Sequence, residues 1–352
     1  MRQEYPLKLV RYDLDGLDPY RNLAVEEHLA RTCPEDVVRL VFYRNAPTVV
    51  IGRNQDPWQE ADLAAAARRG VAVARRVTGG GAVVHDTGNL NYGFIMPRRL
   101  YLPARFLQIV VEALGTLGIA ATACARSSIW VGDRKVSGTA FLLTGRTALL
   151  HGCILVHSDL EGVRRLLAPP SADRHSRAVA SIRSPVTRLC EVSPAATLDA
   201  VREAIAAGAG LSLAGAAGLE PQPAELAPAA LEPLLARQQS WEWIYGRTAD
   251  FEHVLHLAAG PVTLRVKRAE IAEVQAEGRP ALQAALQARW VGCRYDGAGL
   301  AAALLAPTGL ALDEAAELAA SLRREIPPTS SPSAHSPCPS SFPGGPSRPP
   351  AA

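Results

Sequence analysis

Residues 75–94, RRVTGGGAVVHDTGNLNYGF, constrain the fold more than any other stretch of this 352-residue chain. Three consecutive glycines stand between two runs of strand character, VAVARRV before them and AVVHD after. A helix through that point is excluded, and a tight, open loop between strands is expected. Neither G-x-G-x-x-G nor G-x-x-x-x-G-K-[ST] occurs here, and the loop enters a strand rather than a helix. A Rossmann or P-loop cradle is therefore excluded. Two readings remain: a plain turn, or backbone whose N–H groups an anion can approach closely. Arg75 and Arg76 would supply the opposite charge; strand alternation points them to opposite faces, so one of them is expected to reach the site. The DTGN turn leads back into LNYGFI, which reads as a β-meander.

The remaining chain is organised around that stretch. TVVIG is a short strand, QEADLAAAARRG a helix closed by Gly70, and RFLQIVVEALGTLG a helix ending near Gly118. KVSGTAFLL, TGRT and ALLHGCILVHSDL read as strand, turn and strand, followed by a helix in LEGVRRLLAPP that Pro169 and Pro170 stop. Between about residues 192 and 237 the sequence becomes rich in Ala and Pro. The alternating GPVTLRVKRAEI and two helical stretches then suggest a small separate α+β domain. The last stretch, rich in Pro and Ser, cannot bury enough apolar surface to offset its ordering entropy, and disorder is expected there.

Bulk properties exclude several classes. A net charge of +3 with no Lys/Arg run argues against nucleic acid. No apolar run approaches a membrane span. Six scattered cysteines without a C-x-x-C pair argue against a disulfide framework or structural zinc and suit a reducing compartment. The N-terminal MRQEYPLKLVRYDLDG carries no signal-peptide core, and its early acidic residues differ from a transit peptide.

A second stretch, GDRKVSGTAF, places Lys135 on a strand among small residues. Small neighbours let a ligand lie against the strand, while the lysine offers a mobile point charge with three donors. Taken alone, this reads as an exposed strand lysine sooner than as a ligand site.

It does not stand alone. RR-x-x-GGG-A-V-x-HD-x-GN, then K-x-SG-x-A, then HG-x-x-L occur in order, with NLAVEEHLA, VVIGRNQDPWQE, ASIRSPVTRL and WEWIYG around them. Together they resemble the lipoate–protein ligase and lipoyltransferase family over roughly residues 8–250. NQDPWQE and WEWIYGRT look most like its animal mitochondrial lipoyltransferase branch.

The resemblance implies an α+β fold: a biotin/lipoate ligase-like catalytic domain with antiparallel sheets over residues 1–245. A small α+β C-terminal domain would cover 246–326, ahead of a disordered tail over 327–352. It implies transfer of a lipoyl group, from lipoyl-AMP or the lipoylated H protein of the glycine cleavage system, to lysines of lipoyl domains in 2-oxoacid dehydrogenase complexes. ATP and Mg²⁺ would be needed only by a complete ligase. The alternatives are that complete ligase and a non-catalytic protein that binds lipoyl domains. A monomer in the mitochondrion is expected on the same ground, with no metal site.

Residue by residue, Lys135 would be catalytic, bridging phosphate and acyl carbonyl. Gly79, Gly80, Gly81, Ala82, Val83 and Val84 would lie along lipoyl-AMP, with Arg76 near its phosphate. Arg126 matches an adenylate-contacting arginine. Cys153 lines the ligand site as a buried thiol, and Val179 and Ala180 would contact ligand through backbone. His85, Asp86 and Asn89 would fix the turn after the glycines. Two departures stand out: Ser127 and Ser128 replace the Asn-Asp of bacterial members, and Val84 replaces a frequent Tyr or Phe. His151 precedes Cys153 with no carboxylate partner evident in the sequence.

Overall fold

The computed structural model describes residues 8–124, 128–170, 173–214, 222, 227–257, 259–305, 312–329 and 332. The chain divides into two compact units.

The first unit holds strands β1 (Lys8–Leu14), β2 (Val37–Tyr43), β3 (Thr48–Ile51), β4 (Ala72–Arg75), β5 (Val83–His85), β6 (Asn89–Pro97), β7 (Ala121–Cys124), β8 (Ser128–Val131), β9 (Arg134–Leu143) and β10 (Thr147–Leu155). Its helices are α1 (Pro19–Arg31), α2 (Pro57–Glu60), α3 (Leu63–Arg68), α4 (Pro103–Thr116), α5 (Leu160–Leu166), α6 (Leu198–Ala209), α7 (Pro228–Gln239) and α8 (Trp241–Ile244). Seven strands form one sheet in the order β1-β2-β6-β10-β9-β8-β7, antiparallel except for the β1–β2 pair.

Central strand β6 is buried at all nine positions, so both faces of the sheet are covered there. Its alternation sorts the two sides. Leu90, Tyr92, Phe94 and Met96 join the core with Phe106, Val110 and Leu114 of α4 and Val201, Ile205 and Ala209 of α6. Asn89, Asn91 and Gly93 face the other way. There Asn91 pairs with Cys153 and Gly93 with His151. A Cβ on Gly93 would lie 3.0 Å from Glu26 Oε1, so glycine lets the carboxylate of α1 lie against the strand. Helix α1 is set by Asp18, whose side chain accepts from the Tyr20 and Arg21 N–H groups, with Pro19 in the first turn.

The expected meander is not present. β5 pairs antiparallel with β3 in a separate three-stranded sheet, β4-β3-β5, whereas β6 lies between β2 and β10 of the large one. The DTGN turn thus carries the chain from one sheet to the other. Asp86 accepts from Gly88 N at 2.8 Å and from Asp159 N at 2.8 Å, and Asn89 Oδ1 accepts from Asp86 N at 2.7 Å. A Cβ on Gly88 would fall 2.7 Å from the His157 backbone, so this corner is wedged against the end of β10 and cannot fold back as a hairpin. The expected single helix over QEADLAAAARRG is broken into α2 and α3, because Asp56 and Asp62 each cap a separate turn.

The second unit holds residues 173–177, 249–257, 259–305 and 312–329 among the described ones. Strands β11 (Arg174–Ser176), β12 (Phe251–Leu257), β13 (Gly260–Lys267) and β14 (Glu270–Gln275) form an antiparallel sheet accompanied by α9 (Pro280–Trp290), α10 (Gly297–Leu305) and α11 (Leu312–Glu325). Alternation along β12 is strict, buried at Phe251, His253, Leu255 and Leu257. Residues 173–177, which the sequence reading includes in the catalytic domain, belong to this unit because β11 pairs with β12. The tail expected to be disordered lies outside the described residues, except 327–329 and 332. Among the described residues no helix is long and apolar enough to cross a membrane.

Candidate active site

The glycine loop is organised from beneath by Arg76. Its guanidinium donates from Nε to Thr78 Oγ1 (3.0 Å) and the Gly79 carbonyl (3.1 Å). Nη2 donates to the carbonyls of Gly79 (2.6 Å) and Gly81 (2.8 Å), and Nη1 to that of Val50 (3.2 Å). Carbonyl and following N–H point in opposite directions across a trans peptide. Drawing the Gly79 and Gly81 carbonyls inward therefore turns the Gly80 and Ala82 N–H groups away from Arg76. Gly80 takes φ +86°, where a side chain would be strained, and a Cβ on Gly81 would meet Ser181 Oγ at 2.8 Å.

Both arginines of the RR pair are buried, and neither lines the cavity beside the loop. Arg75 donates to the carbonyls of Ile244 (2.9 Å), Gly52 (3.1 Å), Arg53 (3.0 Å) and Gln55 (2.8 Å). Burial pushes Arg75 down to about 9 and Arg76 down to about 10. The reading that one arginine presents charge to a phosphate is thus corrected. Buried guanidinium donors need acceptors, and the backbone of this fold supplies them.

The outward-turned Ala82 N–H donates to Ser181 Oγ at 2.8 Å. Ser181 is fastened in turn: its hydroxyl donates to Glu60 Oε2, its N–H to Glu60 Oε1 (3.0 Å), and it accepts from Gln55 Nε2 (3.0 Å). Val179 donates its N–H to Asn54 O (3.2 Å) and its carbonyl accepts from Gln55 (3.4 Å). Its backbone N–H and carbonyl are thus both engaged by the protein. The valine side chain itself is 55% exposed. Further along, Lys135 donates its N–H to Pro185 O (2.9 Å) and accepts from Thr187 N (3.2 Å), so residues 179–187 run along the mouth of the cavity.

That cavity, of about 380 Å³, brings together Ala82, Val83, Val84, Lys135, Cys153 and Ala180 of the residues expected from sequence. Its remaining walls include the apolar Val136, Leu155, Val163 and Leu167, with Glu60, Arg164 and Arg183 as the other charged residues of the lining. Lys135 reaches it through a β-bulge. Ile129 pairs with Ser137, but its neighbour Trp130 pairs with Lys135, leaving Val136 without a partner. Strict alternation back from Gly138 would put Lys135 on the opposite face of the strand. The extra residue shifts the alternation and brings Lys135 to that side. Gly138 accommodates it: a Cβ there would lie 3.1 Å from both Cε and Nζ of Lys135. Among the described residues no carboxylate pairs with Lys135. An unpaired ammonium in a mostly apolar cavity is a receptor for negative charge.

Cys153 pairs with Gly138 and faces the same cavity. Burial pushes its thiol upward, with Lys135 and Arg76 opposing that shift. A buried thiol held neutral is a poor nucleophile. His85 is buried against Asn45 Nδ2 (2.9 Å) and pushed down to about 3 by burial, with the charges of Arg76 and His151 adding. Arg126 and Ser127 lie outside the described residues.

Three features were not read from the sequence: the Glu60–Ser181 clasp, the role of Thr78, and the carboxylate partner of His151. That partner is Glu26, whose Oε2 lies 2.8 Å from His151 Nδ1, and His151 Nε2 lies 2.8 Å from Thr78 Oγ1. All are long-range contacts between blocks that local patterning treats separately. The only signal was a glutamate within the apolar face of NLAVEEHLA, where a charge is expensive unless paired.

The fold is shared with solved lipoate ligases. A bipartite lipoate protein ligase from Thermoplasma acidophilum, described with its E2 lipoyl domain, is 24% identical, covers 68% of this chain and 95% of its own, and gives a TM-score of 0.56. Lipoate-protein ligase A bound with ATP is 25% identical over 68% of this chain and 98% of its own, with a TM-score of 0.56. P. falciparum LipL1 in complex with lipoate is 21% identical over 88% and 98%, with a TM-score of 0.61. Residues 18–209 match the family described as the lipoyl protein ligase A/B catalytic domain, which is more than half of the chain. The protein belongs to that family, whose chemistry is protein lipoylation.

Proposed function

We propose that this protein transfers a lipoyl group to the acceptor lysine of lipoyl domains in 2-oxoacid dehydrogenase acyltransferase subunits. The donor is lipoyl-AMP or the lipoylated H protein of the glycine cleavage system. The observation that carries the reading is Lys135, unpaired in an apolar cavity beside the glycine loop. The apolar walls suit the lipoyl chain, and the ammonium suits the acyl carbonyl and its anionic leaving group. As the acceptor amine attacks, the carbonyl oxygen gains negative charge. A cation already in place stabilises that charge without reorganising. Lys135 would act at this step, with the Gly80 N–H as a further donor.

Transfer between protein lysines exchanges one amide for another and needs no nucleotide. Joining free lipoate to a lysine needs activation, hence ATP and Mg²⁺. Ser128 and its neighbour Ser127, where bacterial members carry Asn-Asp, favour transfer over complete ligation. The E2 lipoyl domain and the ATP of the ligases above support a lipoyl-domain acceptor and leave the complete ligase as the second reading. The H protein donor, mitochondrial location and monomeric state rest on likeness to the animal branch alone.

The test is the mass of an apo lipoyl domain after incubation under three conditions: lipoate with ATP and Mg²⁺, synthetic lipoyl-adenylate, and lipoylated H protein without nucleotide. Transfer is expected from the adenylate and H protein only. Lipoylation from free lipoate would establish a ligase, and no mass gain in any condition would refute the enzyme.

A further inference from the structure

The chemistry of the cavity leaves one buried polar chain unused. It runs from Glu26 on α1 to His151 on β10, to Thr78 before the glycine loop, and to Arg76 beneath it. Every member is buried: Glu26 is 1% exposed and Thr78 not at all. A carboxylate, an imidazole and a hydroxyl in series suggest an activated nucleophile, but the position of Thr78 excludes that here. It has no access to the cavity, and its oxygen already accepts from Arg76 Nε at 3.0 Å.

Arginine can only donate, so Thr78 Oγ1 is an acceptor towards Arg76. With the His151 proton on Nδ1, donating to Glu26 Oε2 at 2.8 Å, the Nε2 lone pair is left for the Thr78 hydroxyl at 2.8 Å. Glu26 Oε1 accepts from Tyr43 OH at 3.4 Å. One polarity runs through the whole chain, and it holds Thr78 Oγ1 as an acceptor at a single place against Arg76.

That place determines the loop. Arg76 Nε shares itself between Thr78 and the Gly79 carbonyl, while Nη2 bridges the carbonyls of Gly79 and Gly81. Rotating the guanidinium would release both carbonyls together and turn the Gly80 and Ala82 peptides with them.

We infer that Glu26, His151 and Thr78 are positioning residues, a buried brace that orients Arg76 and through it aims the Gly80 and Ala82 N–H groups at the anionic portion of the substrate. This rests on the lipoyl-transfer reading for the identity of the substrate, but the orientation of the loop can be measured without it. Glu26 reaches the loop through His151 of β10 and then Thr78 and Arg76 of the segment before the glycines, so the brace couples α1 and the large sheet to the glycine turn. The Ala82 N–H that it presents is held by Ser181 Oγ in this structure. An anion binding there would replace that hydroxyl as acceptor.

The test compares Thr78→Val, which keeps the shape and removes the hydroxyl, with Thr78→Ser, which restores it, and with Glu26→Gln. Hydrogen–deuterium exchange followed by mass spectrometry reads the loop directly. In Thr78→Val the peptide covering residues 77–83 should exchange about tenfold faster, since loop amides lose their fixed orientation, with the melting temperature checking that the chain remains folded. Transfer from synthetic lipoyl-adenylate should fall about 100-fold in kcat/KM through a raised KM for the adenylate and a lowered kcat, the size expected of lost positioning. KM for the acceptor lipoyl domain should not move. Glu26→Gln should lose about tenfold, because its amide oxygen still accepts from His151, and Thr78→Ser should recover to within about threefold.

A purely structural role would lower kcat through lost active protein and leave both KM values and the exchange of the folded fraction unchanged. That outcome overturns the assignment. Thr78→Ser as impaired as Thr78→Val would overturn it too, since packing and not the hydroxyl would then matter. Should the wild-type protein fail to use lipoyl-adenylate while loop exchange still responds to Thr78→Val, the lipoyl reading falls and the brace stands.

Discussion

Arg76 and Lys135, two of the cations around this site, are held in opposite ways. Arg76, under the glycine loop, makes five hydrogen-bond contacts to the protein and does not line the cavity. Lys135, on β9, lines the cavity, has no carboxylate partner among the described residues, and sits over a glycine that leaves it room. The contrast follows from what each group can do. A rigid guanidinium with five donors suits several fixed carbonyls at once, while a flexible ammonium suits charge that arrives and leaves. A charge that builds a loop must be satisfied in the resting protein. One that meets a developing oxyanion must not be. This division assigns stability to one cation and catalysis to the other, and each variant below can break it.

The largest effect is expected on activity from Lys135→Met. The loss of one preorganised charge should lower kcat about 10²–10³-fold, or about 3–4 kcal/mol of transition-state stabilisation. The melting temperature should stay near that of the wild type. A large drop in melting temperature would show that Lys135 supports the fold and would dissolve the distinction. Arg76→Met is the mirror experiment. Leaving the buried carbonyls of Gly79, Gly81 and Val50 without donors should cost on the order of 3 kcal/mol of stability in urea unfolding. Wild-type stability with lost adenylate binding would instead make Arg76 a ligand residue after all.

A smaller effect comes from His85, on the Arg76 side of the site. Its folded pKa of about 3 lies below the ordinary histidine value, so the unfolded chain takes up the proton first. Stability from this group is complete above about pH 6.5 and is lost as pH falls towards 3. Between pH 7 and 5 the first unit should lose about 2 kcal/mol, and His85→Gln should flatten that slope. An unchanged slope in the variant would mean that His85 is not held neutral. The smallest expected effect is that of Gly138→Ala. Its methyl would displace the Lys135 ammonium, which is the far end of a flexible side chain, so stability should change by less than about 0.5 kcal/mol. Activity should still fall about tenfold, because a misplaced charge is a weaker one. Full activity would show that Lys135 does not need its seat over Gly138.

Much of this site was legible as pattern. The glycine triplet announced an open loop, the K-x-SG-x-A run a lysine among small residues, and the order of the blocks a family. Ala82, Val83, Val84, Lys135, Cys153 and Ala180 do line one cavity. Helices α4, α5 and α6 and the β9–β10 hairpin follow their apolar spacing and turn residues, because local propensity and burial agree there. These are properties of neighbouring residues, and sequence determines them by itself.

Long-range contacts decided the rest. β5 and β6 read as a hairpin, yet Gly88 is wedged against His157 and the two strands enter different sheets. Alternation cannot show the bulge at Val136, because an unpaired residue is defined only by its partner strand. Likewise RR promised charge for a ligand, but the carbonyls that claim both arginines come from Gly52, Val50, Ile244 and the loop itself, brought together only by folding. Residue types fixed which groups need partners; the tertiary structure chose the partners, and among the described residues it gave the cavity-lining Lys135 no carboxylate.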